Sequence, residues 1–180
     1  MKEGIPKREG GRTEKELSNI DRLLEYEKQG YVFHGSPRKG VEILEPKLSR
    51  DVREGRNFNN DTAIFGTKRA DEAIIYACVD RGVIPPEIER NMSWSIGAVV
   101  PDNTRIVARI PIEWKPYVTK GSGYVYVSNK EPFTFKRHWH VKSKEPVKPI
   151  DKIEVRFKDF EKLGGVVEWK EGDNIKRIEG

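Results

Sequence analysis

One cysteine, three histidines and two methionines among 180 residues leave little material for sulfur or metal chemistry. Cys78 has no second thiol with which to form an internal disulfide, and three histidines without a Cys/His cluster give a structural zinc ion no ligand set. The chain lacks any run near the roughly 18 consecutive apolar residues of a membrane-spanning helix. Met1 to Arg12 is charged throughout, with no apolar h-region behind it. These absences predict a cytoplasmic protein without a membrane span, a secretion signal or a structural metal.

Apolar residues are also scarce, at 36% against 35% charged, and the mean hydropathy is −0.73. Seven Phe, six Tyr and four Trp compensate, because each buries a large area, so a core filled to a large extent by aromatics is expected. Lys and Arg number 34 against 29 Asp and Glu, a net charge of +5. The two signs are interspersed, which describes a solvated surface more than a basic groove; nucleic acid or nucleotide phosphate is permitted as a partner without being required. Internal repeats and heptads are missing, as are the GxxxxGK[ST], GxGxxG, HExxH and GxSxG patterns.

What is present reads as a flexible tail over residues 1–12, then one domain over residues 13–180. Thr13 and Glu16 form a capping-box pattern ahead of Leu17, Ile20, Leu23 and Leu24, which predicts a helix from Glu14 to Lys28 with Gly30 just past its end. Tyr31-Val32-Phe33-His34 reads as a strand that stops at Gly35-Ser36-Pro37, and Val41 to Leu44 as a short element closed by Pro46. Residues 48–61 read as a long polar loop. A strand over Thr62 to Phe65 is followed by apolar positions Ala70, Ala73, Ile74, Ala77 and Cys78, the spacing of a buried helix with Tyr76 off the main stripe.

Strands are then expected at Ser95 to Val100, Arg105 to Pro111, Gly123 to Val127, His138 to Lys142, Ile153 to Phe157 and Val166 to Trp169, with Phe160 to Leu163 as a short element between the last two. A helix-rich first half and a strand-rich second half spell an α+β fold.

The segment with most chemical content is His34-Gly35-Ser36 at a strand end, followed by Ile64-Phe65-Gly66-Thr67 and by Ala73-Ile74-Ile75-Tyr76 on a helix. An imidazole can fix a ribose hydroxyl, a backbone amide can hold a carboxamide, and an aromatic face can stack on a planar ring. This order resembles the ADP-ribosyltransferase superfamily in its poly(ADP-ribose) polymerase-like branch, over about Tyr31 to Tyr76 and more loosely over Gly121 to Asn129. The resemblance implies a split, mostly antiparallel sheet with an N-terminal helix, and NAD as substrate.

By that resemblance His34 holds the nicotinamide-side ribose, Gly35 the carboxamide, Tyr76 stacks on the ring, Phe65 forms the second aromatic wall, and Ser36 and Thr67 are supporting donors; His34 and Tyr76 are the catalytic candidates. It implies cleavage of the nicotinamide–ribose bond and transfer of ADP-ribose to a macromolecule, as a toxin or phage effector. The chain departs from the pattern where Gly123 or Ser122 stands for the family's glutamate and Ala73 for its helix serine. Glu131, the nearest downstream carboxylate, lies roughly 26 Å from Gly123 along an extended chain.

Two other readings stay open. One is a binding module for NAD, ADP-ribose or a nucleotide without turnover. The other is a nucleic-acid end-processing enzyme resembling RNA 2′-phosphotransferases, served by the basic segment 135–144 with Lys136, Arg137, His138, Lys142 and Lys144 around Phe135 and Trp139. His138 and His140 are expected on one face of a strand, as a metal-binding spacing or as a solvated pair. Arg50, Arg53 and Arg56 with Asn57, Asn59 and Asn60 have the types to clamp a pyrophosphate over His34.

Overall fold

The computed structural model describes residues 17–49, 61–90, 92, 94–98 and 105–171. The tail over residues 1–12, the Thr13/Glu16 pattern and the Arg50 to Asn60 cluster lie outside them. Helix α1 (Asn19–Lys28) starts later than the apolar spacing predicts. Ser18 is extended and its hydroxyl accepts from the Asp21 backbone N–H, so the N-cap falls here and leaves Leu17 outside the helix.

The strands are β1 (Val32–Ser36), β2 (Lys47–Ser49), β3 (Asp61–Thr67), β4 (Ser95–Ala98), β5 (Ile106–Pro111), β6 (Ser122–Ser128), β7 (Thr134–Arg137), β8 (His140–Ser143), β9 (Asp151–Arg156) and β10 (Val166–Lys170). The helices after α1 are α2 (Ala70–Cys78), α3 (Pro86–Glu89), α4 (Lys115–Val118) and α5 (Phe157–Lys162). The larger sheet runs β7-β8-β3-β1-β6-β9, with β2 also paired to β3, and all its pairs are antiparallel. The smaller sheet runs β10-β5-β4, and β10 lies parallel to β5. The fold is α+β with mostly antiparallel sheets, as the order of elements predicts.

Helix α2 organises the interior. All of its residues are buried except Tyr76, and its Ile74, Ala77 and Cys78 share one core with Phe33 of β1, Val125 and Val127 of β6, and Ile106, Ala108 and Ile110 of β5. A strand alternates its side chains between faces, so Tyr124 and Tyr126 of β6, which point away from α2, serve a second, smaller core. Tyr126 opposite His34 belongs to it, with Leu44, Ile64 and Val147. The Tyr126 hydroxyl donates to Arg38 O at 2.5 Å and accepts from Val41 N–H at 3.3 Å, which fastens the chain after β1 over this core.

Three expected elements take another form. The loop expected over residues 48–61 is cut at both ends, because Leu48 and Ser49 pair with Thr62 and Asp61 in the β2–β3 ladder. His138 is not on a strand: Arg137 pairs with His140, so His138-Trp139 is the two-residue turn of the β7–β8 hairpin. His138 has φ +52°, the sign that such hairpin turns demand. Val41 to Leu44 contributes only an isolated bridge, Leu44 to Val147, hydrogen-bonded in both directions at 2.8 and 2.9 Å.

Candidate functional site

Strands β1 and β3 share a single registered pair, Phe33 with Thr67, and then part. β3 turns its pairing to β8 over Ile64 to Thr67 and to β2 over Asp61 to Ala63. The imidazole of His34 spans the opening, with Nδ1 at 2.8 Å from the carbonyl oxygen of Phe65. A carbonyl only accepts, so Nδ1 carries the proton and the neutral ring presents Nε2 as an acceptor. Burial lowers the His34 pKa below its usual 6.5; the Phe65 carbonyl opposes the shift and the nearby Lys47 ammonium adds to it.

A cleft of about 290 Å³ opens beside this ring. His34 and Ser36 form one wall, Ala63, Ile64 and Phe65 the other, and the segment from Arg38 to Lys47 closes over them. That segment brings two cations, Arg38 and Lys47, and one carboxylate, Glu45. Ser36 accepts from the Arg38 backbone N–H at 3.2 Å, which folds the chain back at the end of β1. The cleft is thus a small pocket with an apolar floor, a neutral imidazole acceptor and a charged rim, at the lower end of the roughly 300–1,000 Å³ of small-molecule sites.

Of the six candidate residues, the structure gathers His34, Ser36 and Phe65 in this cleft. The absent side chain of Gly35 lies on the α2 face of the strand. A Cβ built on it lies 2.1 Å from Ala73 O and 2.8 Å from Ala77 N, so glycine here lets α2 rest directly on the backbone of β1. A nicotinamide ring has no room between β1 and α2 at that level. Tyr76 rides on α2, 41% exposed, with its ring edge-on to Trp94 at 5.4 Å between centroids. Burial of its surroundings and the Glu72 charge push the phenol pKa up. Tyr76 does not line the cleft.

Thr67 is drawn into a different cluster, at the start of α2. Its hydroxyl donates to Glu72 Oε2 at 2.5 Å and accepts from Arg69 N–H. Glu72 is 1% exposed, and its other oxygen accepts from His140 Nε2 at 2.7 Å. Glu27 reaches over from α1 to accept from Ala70 N–H, and burial raises its carboxyl pKa above the usual range. His140 is therefore the partner of a buried carboxylate, which strand spacing alone does not disclose, and His138 stands apart from it in the hairpin turn. Among the described residues no group of three or more His, Cys, Asp or Glu is placed to hold a metal ion.

Of the two positions that the resemblance assigns to a glutamate, Gly123 has its built Cβ 2.1 Å from Ala77 O and so points at α2, and Ser122 lies on the opposite face of β6 at its exposed first residue. In the basic segment, Lys142 and Lys144 both turn to Asp61, at 2.5 and 3.6 Å, and the Asp61 carboxyl pKa is held low by its hydrogen bond from Lys142. No helix among the described residues is long and apolar enough to cross a membrane.

Arg38, Glu45 and Lys47 are the cleft residues that motif reading passes over. They carry no motif, and the only signal available was that they flank the short apolar element ending at Pro46. No protein-family model, curated protein or solved structure matches this chain.

Proposed function

We propose that the cleft beside His34 binds a nucleotide of the NAD type. A ribose hydroxyl donates to His34 Nε2, the phosphates lie toward Arg38 and Lys47, and a planar ring rests on the apolar wall of Ile64 and Phe65. The observation that carries this reading is the fixed imidazole: its Nδ1 is committed to Phe65 O, and the ring lines a pocket that Arg38 and Lys47 also line. An imidazole held neutral does not compete for the phosphate and is free to meet a hydroxyl.

Within this reading the chain resembles an ADP-ribosyltransferase at its first strand, and the transfer of ADP-ribose to a macromolecule is the activity the resemblance brings. Binding without turnover is the second reading, and the orientation of Gly123 favours it, because that strand offers the cleft no carboxylate.

Calorimetric titration with NAD on the wild type and on His34→Ala, with nicotinamide release followed in the same samples, tests both. Binding by the wild type and its loss in His34→Ala is the expected result. Nicotinamide release makes the protein an enzyme, and its absence makes it a binding module. Wild-type protein that takes up no NAD overturns the reading.

A further inference from the structure

One rung of the larger sheet carries three side chains on the face away from α2. His34 of β1 pairs with Tyr126 of β6, and Tyr126 pairs with Lys152 of β9, so all three point to the same side. Two of them grip the chain that closes the cleft. The Tyr126 hydroxyl donates to Arg38 O at 2.5 Å and accepts from Val41 N–H at 3.3 Å, and the Lys152 ammonium donates to Lys39 O at 3.2 Å. All of these partners are backbone groups, so the grip is on the path of the chain.

Tyr126 is the firm side of this contact. Its ring is fully buried in the second core, and its hydroxyl uses both its proton and an oxygen lone pair on segment 38–41. Farther on, Leu44 is hydrogen-bonded to Val147 in both directions. Segment 38–44 is therefore fastened at both ends, and Arg38, Val41 and Leu44 line the cleft. A wall that is ordered before the ligand arrives does not have to be ordered by it, and the difference appears as affinity.

Resting on the nucleotide reading above, we propose that Tyr126 is a positioning residue of the cleft: its hydroxyl holds segment 38–41 in the geometry that receives the ligand, opposite His34 of the same rung. Tyr126 lies beneath the segment and acts through it. Without the hydroxyl, Arg38 O and Val41 N–H lose their shared partner and the wall is ordered only when the ligand binds.

The test uses the full chain, with NAD and inorganic pyrophosphate titrated calorimetrically into the wild type, Tyr126→Phe and Tyr26→Phe. Tyr126→Phe keeps the buried ring and removes one oxygen, and circular dichroism confirms the fold. Tyr26 is the comparison, because its hydroxyl donates to Asp151 at 2.9 Å and it does not line the cleft. Lower global stability reduces the folded fraction and leaves the affinity of the folded molecule unchanged, so affinity is a readout that a merely structural hydroxyl does not move. Tyr126→Phe is expected to weaken both probes by about two- to tenfold, the equivalent of one neutral hydrogen bond. Its Val41 amide is expected to exchange faster with solvent, as read by NMR. Tyr26→Phe is expected to change neither.

Unchanged NAD affinity in Tyr126→Phe overturns the positioning role and leaves the nucleotide reading standing. So does equal weakening by Tyr26→Phe, or a Val41 amide as protected in Tyr126→Phe as in the wild type. A wild type that binds neither NAD nor pyrophosphate overturns both.

Discussion

His140 Nε2 lies 2.7 Å from Glu72 Oε1, while the other oxygen of that carboxylate takes the Thr67 hydroxyl at 2.5 Å. The carboxylate is almost fully removed from water, so these two bonds, one from β8 and one from the end of β3, offset its desolvation and tie α2 to two strands at once. Truncation by Glu72→Ala takes away the acceptor of the buried Thr67 hydroxyl and of one His140 nitrogen. The expected loss is about 1 to 3 kcal/mol in unfolding free energy, read from urea titration. A loss below about 1 kcal/mol contradicts the view that this cluster holds α2 in place.

Gly123 invites the substitution that would restore a glutamate to β6. Because its Cβ vector runs into Ala77 O, Gly123→Glu forces α2 off the sheet without delivering a carboxylate to the cleft. The variant is expected to lose about 3 kcal/mol or more, beyond ordinary overpacking since the obstacle is backbone, and to show no gain in nicotinamide release. A folded variant with raised release shows that β6 faces the ligand after all.

Burial holds the His34 pKa below that of the unfolded chain, about 6.5. As the pH falls through 6.5 the unfolded chain takes up a proton that the folded chain refuses. The stability contributed by the neutral ring is therefore complete above 6.5 and declines below it, down to the folded-state pKa. Urea midpoints measured between about pH 5 and 7.5 should fall more steeply on acidification in the wild type than in His34→Gln. An NMR titration of the His34 ring with its midpoint at or above 6.5 removes the neutral acceptor from the site.

His138 holds φ +52° in a two-residue turn, where a side chain is disfavoured and glycine is not. His138→Gly is expected to raise stability by about 1 kcal/mol and to leave nucleotide binding untouched. A destabilised variant shows that the imidazole earns its place by a contact of its own.

The helical and strand periodicities were legible wherever burial on one face dictated them. Ala70, Ala73, Ile74, Ala77 and Cys78 read as a buried helix because a 3.6-residue stripe has no other use, and α2 spans Ala70–Cys78. Strand β7 was missed because Thr134 to Arg137 shows no alternation between apolar and polar residues; hairpin pairing with β8 makes it a strand. Within the site, His34 was legible from the strand end and the turn that follows.

Glu72 was not legible, because an acidic residue on an apolar helix reads as solvated until the partners from β3 and β8 are in place. The same holds for Glu45 and Lys47, brought to His34 by the path of the chain over Tyr126 and not by spacing. At Gly35 the structure adds a packing reason that the sequence does not disclose: the missing side chain admits a helix to the strand, on the face away from the cleft.

The parallel pairing of β10 with β5 sets Val166 beside Val107 and Trp169 beside Ile110. Val107 and Val166 are 59 positions apart in sequence, whereas β4 and β5 pair across a short connection, so β10 joins the smaller sheet by closing a much longer loop and at a greater cost in chain entropy than the β4–β5 pair.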